Sequence, residues 1–314
     1  MKAGQASISR LFRTEVKRTL RRSVSLRLYS NFKIGGRADF FFAARSPEEL
    51  QSSLLFAHGR NLPYYVIGSG TNILFDDEGF RGLIIKSEVQ GMDRLKEGRI
   101  EALSGTVLSD LVEFTAAEGL RGLEFAAGIP GTVGGAIFGN AGAFGRCIGD
   151  VLEEATLLDK QGREFLVDNK HFEFSYRHSL LKWRHSTLLR AVFRLKKGDK
   201  EKIRAEIEEN LRKRAARHPS SKTACAGSYF KNPVLADGTK AAAGYLLDKA
   251  GAKGLKVGDA AVFPGHANFV INLGRAEAKD VLLLAQELKS RVKKEFGVEL
   301  EEEVIYLPAN FSTP

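Results

Sequence analysis

Three short stretches set reactive side chains close together. Phe174–Ser179 (FSYRHS) holds Arg177 among aromatic and polar residues, where a permanently charged guanidinium either serves a ligand or faces solvent. Gly227–Pro233 (GSYFKNP) packs a hydroxyl, a cation and an amide, from Ser228, Lys231 and Asn232. That stretch either turns the chain at a domain junction or offers all three groups to one ligand. Glu301-Glu302-Glu303 leads into the apolar run Val304–Leu307. Strand alternation puts Glu301 and Glu303 on one face and Glu302 on the other, so an otherwise solvated acidic run can turn one carboxylate toward a cleft. The six histidines lack the i, i+4 spacing of a zinc helix, so no metal is expected. No Ser/His/Asp order supports a hydrolase triad.

Other segments offer backbone chemistry. Gly128–Gly145 (GIPGTVGGAIFGNAGAFG) has seven glycines and no charge. It reads as a long functional loop whose N–H groups approach a large, flat, partly apolar ligand; a dinucleotide cofactor fits. Gly68–Asn72 (GSGTN) follows the short strand Tyr64–Ile67 and presents N–H groups and short polar side chains suited to a pyrophosphate. It is neither a Rossmann GxGxxG nor a P-loop, and alone reads equally as a tight turn. Asn31–Asp39 (NFKIGGRAD) is a third glycine-bearing turn, either purely structural or closing over the cofactor.

The elements that position these groups mix strands and helices in an α+β order. Arg37–Ala44 reads as a buried strand. A helix capped by Ser46 with Pro47 at its first position comes next. Further helices are expected over Val107–Glu118, Asp199–Arg217, Ala241–Ala250 and Ala276–Phe296. Strands are expected over Leu83–Lys86, Leu188–Leu195, Ala260–Phe263, Phe269–Asn272 and Val304–Leu307, with a hairpin turning at Lys160-Gln161-Gly162. The length of 314 residues suffices for two or three domains with cores. With 43% hydrophobic and 27% charged residues the balance is that of a soluble protein. No apolar run reaches membrane-spanning length. Cys147 and Cys225 form no disulfide framework, which points to a reducing cytoplasm. The net charge of +10 is concentrated in Met1–Leu28, which carries +7. That segment reads as a solvated basic arm or a surface helix, and its removal leaves a nearly balanced body, against a nucleic-acid binder.

In this order the segments resemble the UDP-N-acetylenolpyruvoylglucosamine reductases. The resemblance rests on NFKIGGRAD, YVIGSGTNIL, LEFAAGIPGTVGGAIFGNAGAFG, FSYRHS, GSYFKNP, AAGYLLDKAGAKGLKVGDAAVFPGHANFVIN and FGVELEEEV, which span Asn31 to Leu307. The short interval from Arg177 to Ser228 is similar to the branch of that family lacking an extra tyrosine-bearing loop. The resemblance implies an α+β fold: an FAD-binding domain of the vanillyl-alcohol oxidase (PCMH) type, then a C-terminal α+β substrate-binding domain. The implied division is a basic arm at 1–30, the FAD domain at 31–200 and the substrate domain at 201–314, with the last strand either staying there or returning to the FAD domain.

It further implies a flavoenzyme using FAD and NADPH on a UDP-sugar enolpyruvyl ether in peptidoglycan precursor synthesis. The enzyme is expected to be a cytoplasmic monomer without nucleic-acid or membrane partners. By position, Ser228 is implied as proton donor, with Arg177 and Glu303 as the other catalytic residues. The family commonly has LEPE where this chain has LEEE, so Glu301 and Glu302 remain alternatives to Glu303. Gly68, Ser69, Gly70, Thr71, Asn72, Gly128, Ile129, Pro130, Gly131, Thr132, Gly134, Gly135, Asn140, Ala141 and Gly142 are the expected cofactor contacts. Lys231, Asn232, Arg217, His266 and Asn268 are the expected substrate contacts. An oxidase of alcohols or hydroxy acids on the same fold is the rival reading.

Overall fold

The computed structural model describes residues 19–184, 186–235 and 237–311. Its α+β architecture is built on three main sheets. In the first, Arg37–Ala44 runs parallel to Phe80–Ser87, which runs parallel to Tyr64–Ile67. Successive strand residues face opposite sides, so Phe41 enters the core on one face and Phe42 the core on the other. This explains why RADFFFAA is apolar without alternation. Helix α1 (Pro47–His58) crosses one face. Its capping hydroxyl on Ser46 accepts from the Glu49 N–H, and Leu50, Leu54 and Ala57 are buried.

The edge of this sheet corrects the reading of the basic arm. Arg21–Ser25 is a strand antiparallel to Arg37–Ala44, and Leu26 behind it is fully buried. Its arginines lie over aromatic rings, Arg21 at 4.6 Å from the Phe41 centroid and Arg22 at 5.3 Å from Phe40. Charge alone suggested a solvated segment; the hydrocarbon and guanidinium faces of arginine cover apolar surface well. Residues 1–18 of the arm lie outside the described residues.

The second sheet is antiparallel, in the order Glu164–Asp168, Leu152–Leu158, Thr187–Arg194, Arg99–Leu103, Met92–Arg94. Helices α2 (Leu108–Ala117), α3 (Val133–Phe138) and α4 (Lys200–Ala215) share its core with Ile100, Leu157 and Phe193. The last two strands are only five and three residues long, too short to announce themselves in the sequence. Ile203 and Ile207 of α4 lie in this core, so α4 packs with the segment before residue 201 and not with the third sheet.

That third sheet runs Cys225–Ser228, Phe269–Asn272, Ala260–Val262, Lys256–Val257. Helices α5 (Ala243–Lys249) and α6 (Ala278–Phe296) cover it. Val281, Leu284, Ala285, Leu288 and Val292 of α6 are buried at helical spacing. Gly297, at φ +68°, ends the helix in the left-handed conformation that glycine adopts freely.

Two seams join the sheets. Ile305–Leu307 pairs in parallel with Ile73–Phe75, directly after the GSGTN segment. Residues 31–36 form the other: Phe32 and Ile34 sit in the core of the third sheet. Asn31 donates to the Cys225 carbonyl at 2.8 Å, and Asn272 to that of Phe32 at 3.0 Å. The glycines of NFKIGGRAD thus serve close packing, since a Cβ on Gly36 would run into the 77–79 backbone.

Candidate active site

The two glycine segments meet. A Cβ on Gly68 would collide with the Thr132 hydroxyl, and Thr71 Oγ1 donates to the Pro130 carbonyl at 3.2 Å. Within the described residues, none of the N–H groups of Gly68, Ser69, Gly70, Thr71, Asn72, Gly131 and Thr132 donates a hydrogen bond. Gly70 and Thr132 are buried. Buried N–H groups without acceptors are rare in folded proteins. The other donors line the opening between the two abutting loops, a concavity suited to an anion. The residues therefore fit a pyrophosphate-bearing cofactor.

Gly128–Gly145 is not the single open loop the glycine count suggested. Thr132 caps α3 by accepting from Gly135 N–H, and Gly142–Ala143 pairs with Arg146–Cys147 as a small hairpin. Three asparagine or glycine positions expected on the cofactor also have partners within the chain. Asn140 donates to the Ser175 carbonyl at 2.8 Å and accepts from Gly149 N–H at 3.0 Å. The Gly142 carbonyl accepts from Arg177 Nη1 at 2.9 Å. Asn72 donates to the Glu303 carbonyl at 3.0 Å. Their amide and carbonyl groups fix the site's frame, a role the glycine pattern does not distinguish from ligand contact. Of the remaining expected contacts, Gly134 N–H donates to the Ser104 carbonyl and Ile129 N–H to Ala126, while the Gly128 carbonyl accepts from Arg214 Nε at 3.1 Å. Ala141 N–H donates to Ala136.

The charged corner lies beside this cradle. Arg177 Nε stands 2.7 Å from Glu303 Oε1, with side chains 23% and 19% exposed. Arg177 occupies the turn closed by reciprocal bonds between Ser175 and His178, at φ +56°. A non-glycine residue there costs roughly 1–2 kcal/mol and persists only where surroundings over-determine it. Burial pushes the Glu303 carboxyl above the usual glutamate range, although Arg177, Lys182 and Lys231 pull the other way.

The acidic run separates as strand alternation predicts. Glu303 meets Arg177, exposed Glu301 pairs with Lys231, and Glu302 on the other face bonds Lys289 of α6 at 2.9 Å. Lys231 is therefore already engaged by Glu301. Ser228 follows a β-bulge: Cys225 pairs Ile271 and Ser228 pairs Phe269, with Gly227 at φ +78° supplying the extra residue. The next residues are clamped from both sides. The Tyr229 carbonyl accepts from Glu303 N–H at 2.8 Å, and Lys231 N–H donates to the Glu301 carbonyl at 2.9 Å. Asn268, buried, accepts from Phe230 N–H and donates to the Phe230 carbonyl. Asn268, expected as a substrate contact, uses both ends of its side-chain amide on the Phe230 backbone, two residues after Ser228.

The other expected substrate residues lie around this segment. Asn232 accepts from Ala243 N–H and its own N–H donates to Tyr176 Oη at 3.2 Å. His266 packs edge-on against His218 and Phe269, and Arg217 is exposed nearby. Burial, then the Arg214 guanidinium, drives His218 down to about 4. Lys182 and Arg214 are site residues that motif reading missed. Lys182 lies between Arg177, Lys231, Glu301 and Glu303, and its pKa is lowered chiefly by burial. A lysine in the apolar run Leu180-Leu181-Lys182-Trp183 was the available signal.

A main-chain cradle beside a charged corner defines a cofactor-dependent enzyme. Residues 38–167 match the family model described as FAD binding domain, so the class is that of the flavin-binding proteins. Residues 218–307 match the UDP-N-acetylenolpyruvoylglucosamine reductase C-terminal domain. The reductase of that name from Moorella thermoacetica is 40% identical over 276 residues, covering 88% of this chain and 89% of the relative. That from Chlamydia abortus is 38% identical over 291 residues, covering 92% and 95%. The crystal structure of the Thermus caldophilus reductase superposes with a TM-score of 0.75 at 35% identity, covering 91% of this chain and 98% of that one. The chain belongs to the UDP-N-acetylenolpyruvoylglucosamine reductase family. Among the described residues, no helix is long and apolar enough to cross a membrane.

Proposed function

We propose that this chain reduces UDP-N-acetyl-3-O-(1-carboxyvinyl)-glucosamine to UDP-N-acetylmuramate in the cytoplasm, with NADPH as the hydride source, for peptidoglycan precursors. The observation that carries the assignment of roles is the half-buried Arg177–Glu303 pair lying between the glycine cradle and the Ser228 strand. The unpartnered N–H groups of Gly68–Asn72, Gly131 and Thr132 would hold the FAD pyrophosphate. When bound and first reduced by NADPH, the flavin would supply a hydride to the terminal methylene of the carboxyvinyl group.

The chain's residues manage the charge and proton that this addition requires. Negative charge builds on the substrate carboxylate as the double bond is lost. Arg177 is positioned for it, and one such preorganised donor is worth about 3–4 kcal/mol. The substrate carboxylate also brings a second anion beside Glu303, which burial already favours in its neutral form. Protonated Glu303 then donates a hydrogen bond to that carboxylate. Ser228 delivers the proton to the adjacent carbon.

Stopped-flow flavin absorbance tests the reading. NADPH should bleach the flavin, and the enolpyruvyl sugar nucleotide should restore it. Rapid reoxidation by oxygen, with no response to NADPH or to that substrate, would show an oxidase instead.

A further inference from the structure

Lys182 ends a short turn, Leu180–Lys182, that comes directly after the Arg177 turn. It is firmly placed. Ser179, fully buried, donates from Oγ to the Phe138 carbonyl at 2.8 Å, and Leu181 is buried on the other side. The ammonium donates to the Arg177 carbonyl at 2.7 Å, and its Nζ stands 6.0 Å from the Phe138 ring centroid. No other acceptor among the described residues takes its remaining N–H groups.

The backbone of Arg177 needs such a partner. Its positive φ is unfavourable for arginine, and relaxation to the right-handed region swings the guanidinium away. Two side-chain contacts oppose that swing, to the Gly142 carbonyl and to Glu303. The second weakens once a substrate carboxylate competes for the guanidinium. The main-chain contact from Lys182 persists, and a charged donor on a carbonyl is stronger than a neutral one. We propose that Lys182 is a positioning residue, holding Arg177 in its left-handed turn so that the guanidinium stays aimed at Glu303 and the substrate carboxylate. This rests on the function proposed above.

Lys182→Met in the holoenzyme removes the donors and keeps the length. Flavin reduction by NADPH should be unchanged. Reoxidation by the enolpyruvyl substrate should slow on the order of 10²-fold, the effect of a small misplacement of a catalytic group. In an Arg177→Ala background the same change should cost nothing more. Equal slowing in both backgrounds, or none in either, overturns the proposal. Lys182→Gln keeps a donor without the charge and should lose less in the same direction, which covers a methionine variant that does not fold.

A second readout needs no turnover: hydrogen exchange at Arg177 Nε–H, followed by nitrogen-edited NMR and assigned through Arg177→Lys. Exchange should accelerate at least tenfold in Lys182→Met, and unchanged exchange overturns the proposal. If the wild-type flavin is not reoxidised by the substrate, the functional reading fails. The exchange measurement then still decides whether Lys182 positions Arg177.

Discussion

The cradle and the charged corner solve the same problem, holding anionic ligand groups, with different materials. The cradle uses main-chain N–H groups on Gly68–Asn72 and Gly131–Thr132 and carries no formal charge. The corner uses Arg177, Lys182, Lys231 and Glu303 in a half-buried cluster, with exposed Glu301 at its rim. A permanent ligand is served by fixed dipoles, which are indifferent to pH and cost no reorganisation. A ligand that gains charge during reaction is served by groups whose proton occupancy can respond. Damage to the first should abolish flavin content; damage to the second should leave a yellow protein that cannot finish the reaction.

Ser228→Ala should sharpen that contrast most. Removing a general acid typically costs 10²–10⁴-fold, so reoxidation by substrate should stall while NADPH reduction proceeds; full rates in both would remove Ser228 from the mechanism. Arg177→Met should slow the same step roughly 10²–10³-fold with flavin content intact, and loss of flavin on purification would break the division. Gly131→Val attacks the other region. Gly131 has φ +137° and its Cβ would meet only Thr71 Oγ1, at 3.3 Å, so a branched side chain strains the loop backbone and intrudes on the concavity. The purified variant should be colourless, and an undiminished flavin-to-protein absorbance ratio would show that the concavity holds something else.

The pH response of the corner is subtler. The raised pKa of Glu303 means that the folded chain binds this proton more tightly than the unfolded one. The neutral acid's contribution to stability is complete below the ordinary glutamate range and is lost as pH rises through the raised value. The reoxidation rate should fall over that same limb. Glu303→Gln should remove the limb from the pH–rate profile, and its survival would assign it elsewhere. The smallest effect is expected at Lys289–Glu302, whose side chains are each 38% exposed. Glu302→Gln should shift stability by no more than about 1 kcal/mol and leave both half-reactions unchanged, as chemical denaturation and stopped flow would show.

Motif reading located the corner better than the cradle's construction. Arg177, Ser228 and Glu303 stand in distinctive strings, and the alternation of Glu301, Glu302 and Glu303 is a local rule that survives folding. Glycine-rich sequence, by contrast, announces conformational freedom without saying how it is used. Gly227 supplies the backbone angle of a bulge, Gly36 allows two backbones to touch, and Gly131 edges an open concavity. The bonds of the Asn140 and Asn268 side-chain amides to the Ser175 and Phe230 backbones were not legible, because those partners are distant in sequence. The strand at Arg21–Ser25 was hidden by its arginines, whose hydrocarbon and ring contacts no charge count detects. The helices and buried strands were legible because apolar periodicity and caps are local properties.

The pairing of Ile305–Leu307 with Ile73–Phe75 has a temporal side. Asn72 and Glu303, joined by a hydrogen bond, are 231 residues apart in sequence. Closing so long a span is entropically slow, and ribosomal synthesis delivers Ile305–Leu307 long after Ile73–Phe75. A nascent chain therefore possesses the glycine loops well before it possesses their acidic neighbour. The complete reaction centre comes into being only after Glu303–Leu307 has been made and has paired with Asn72–Phe75.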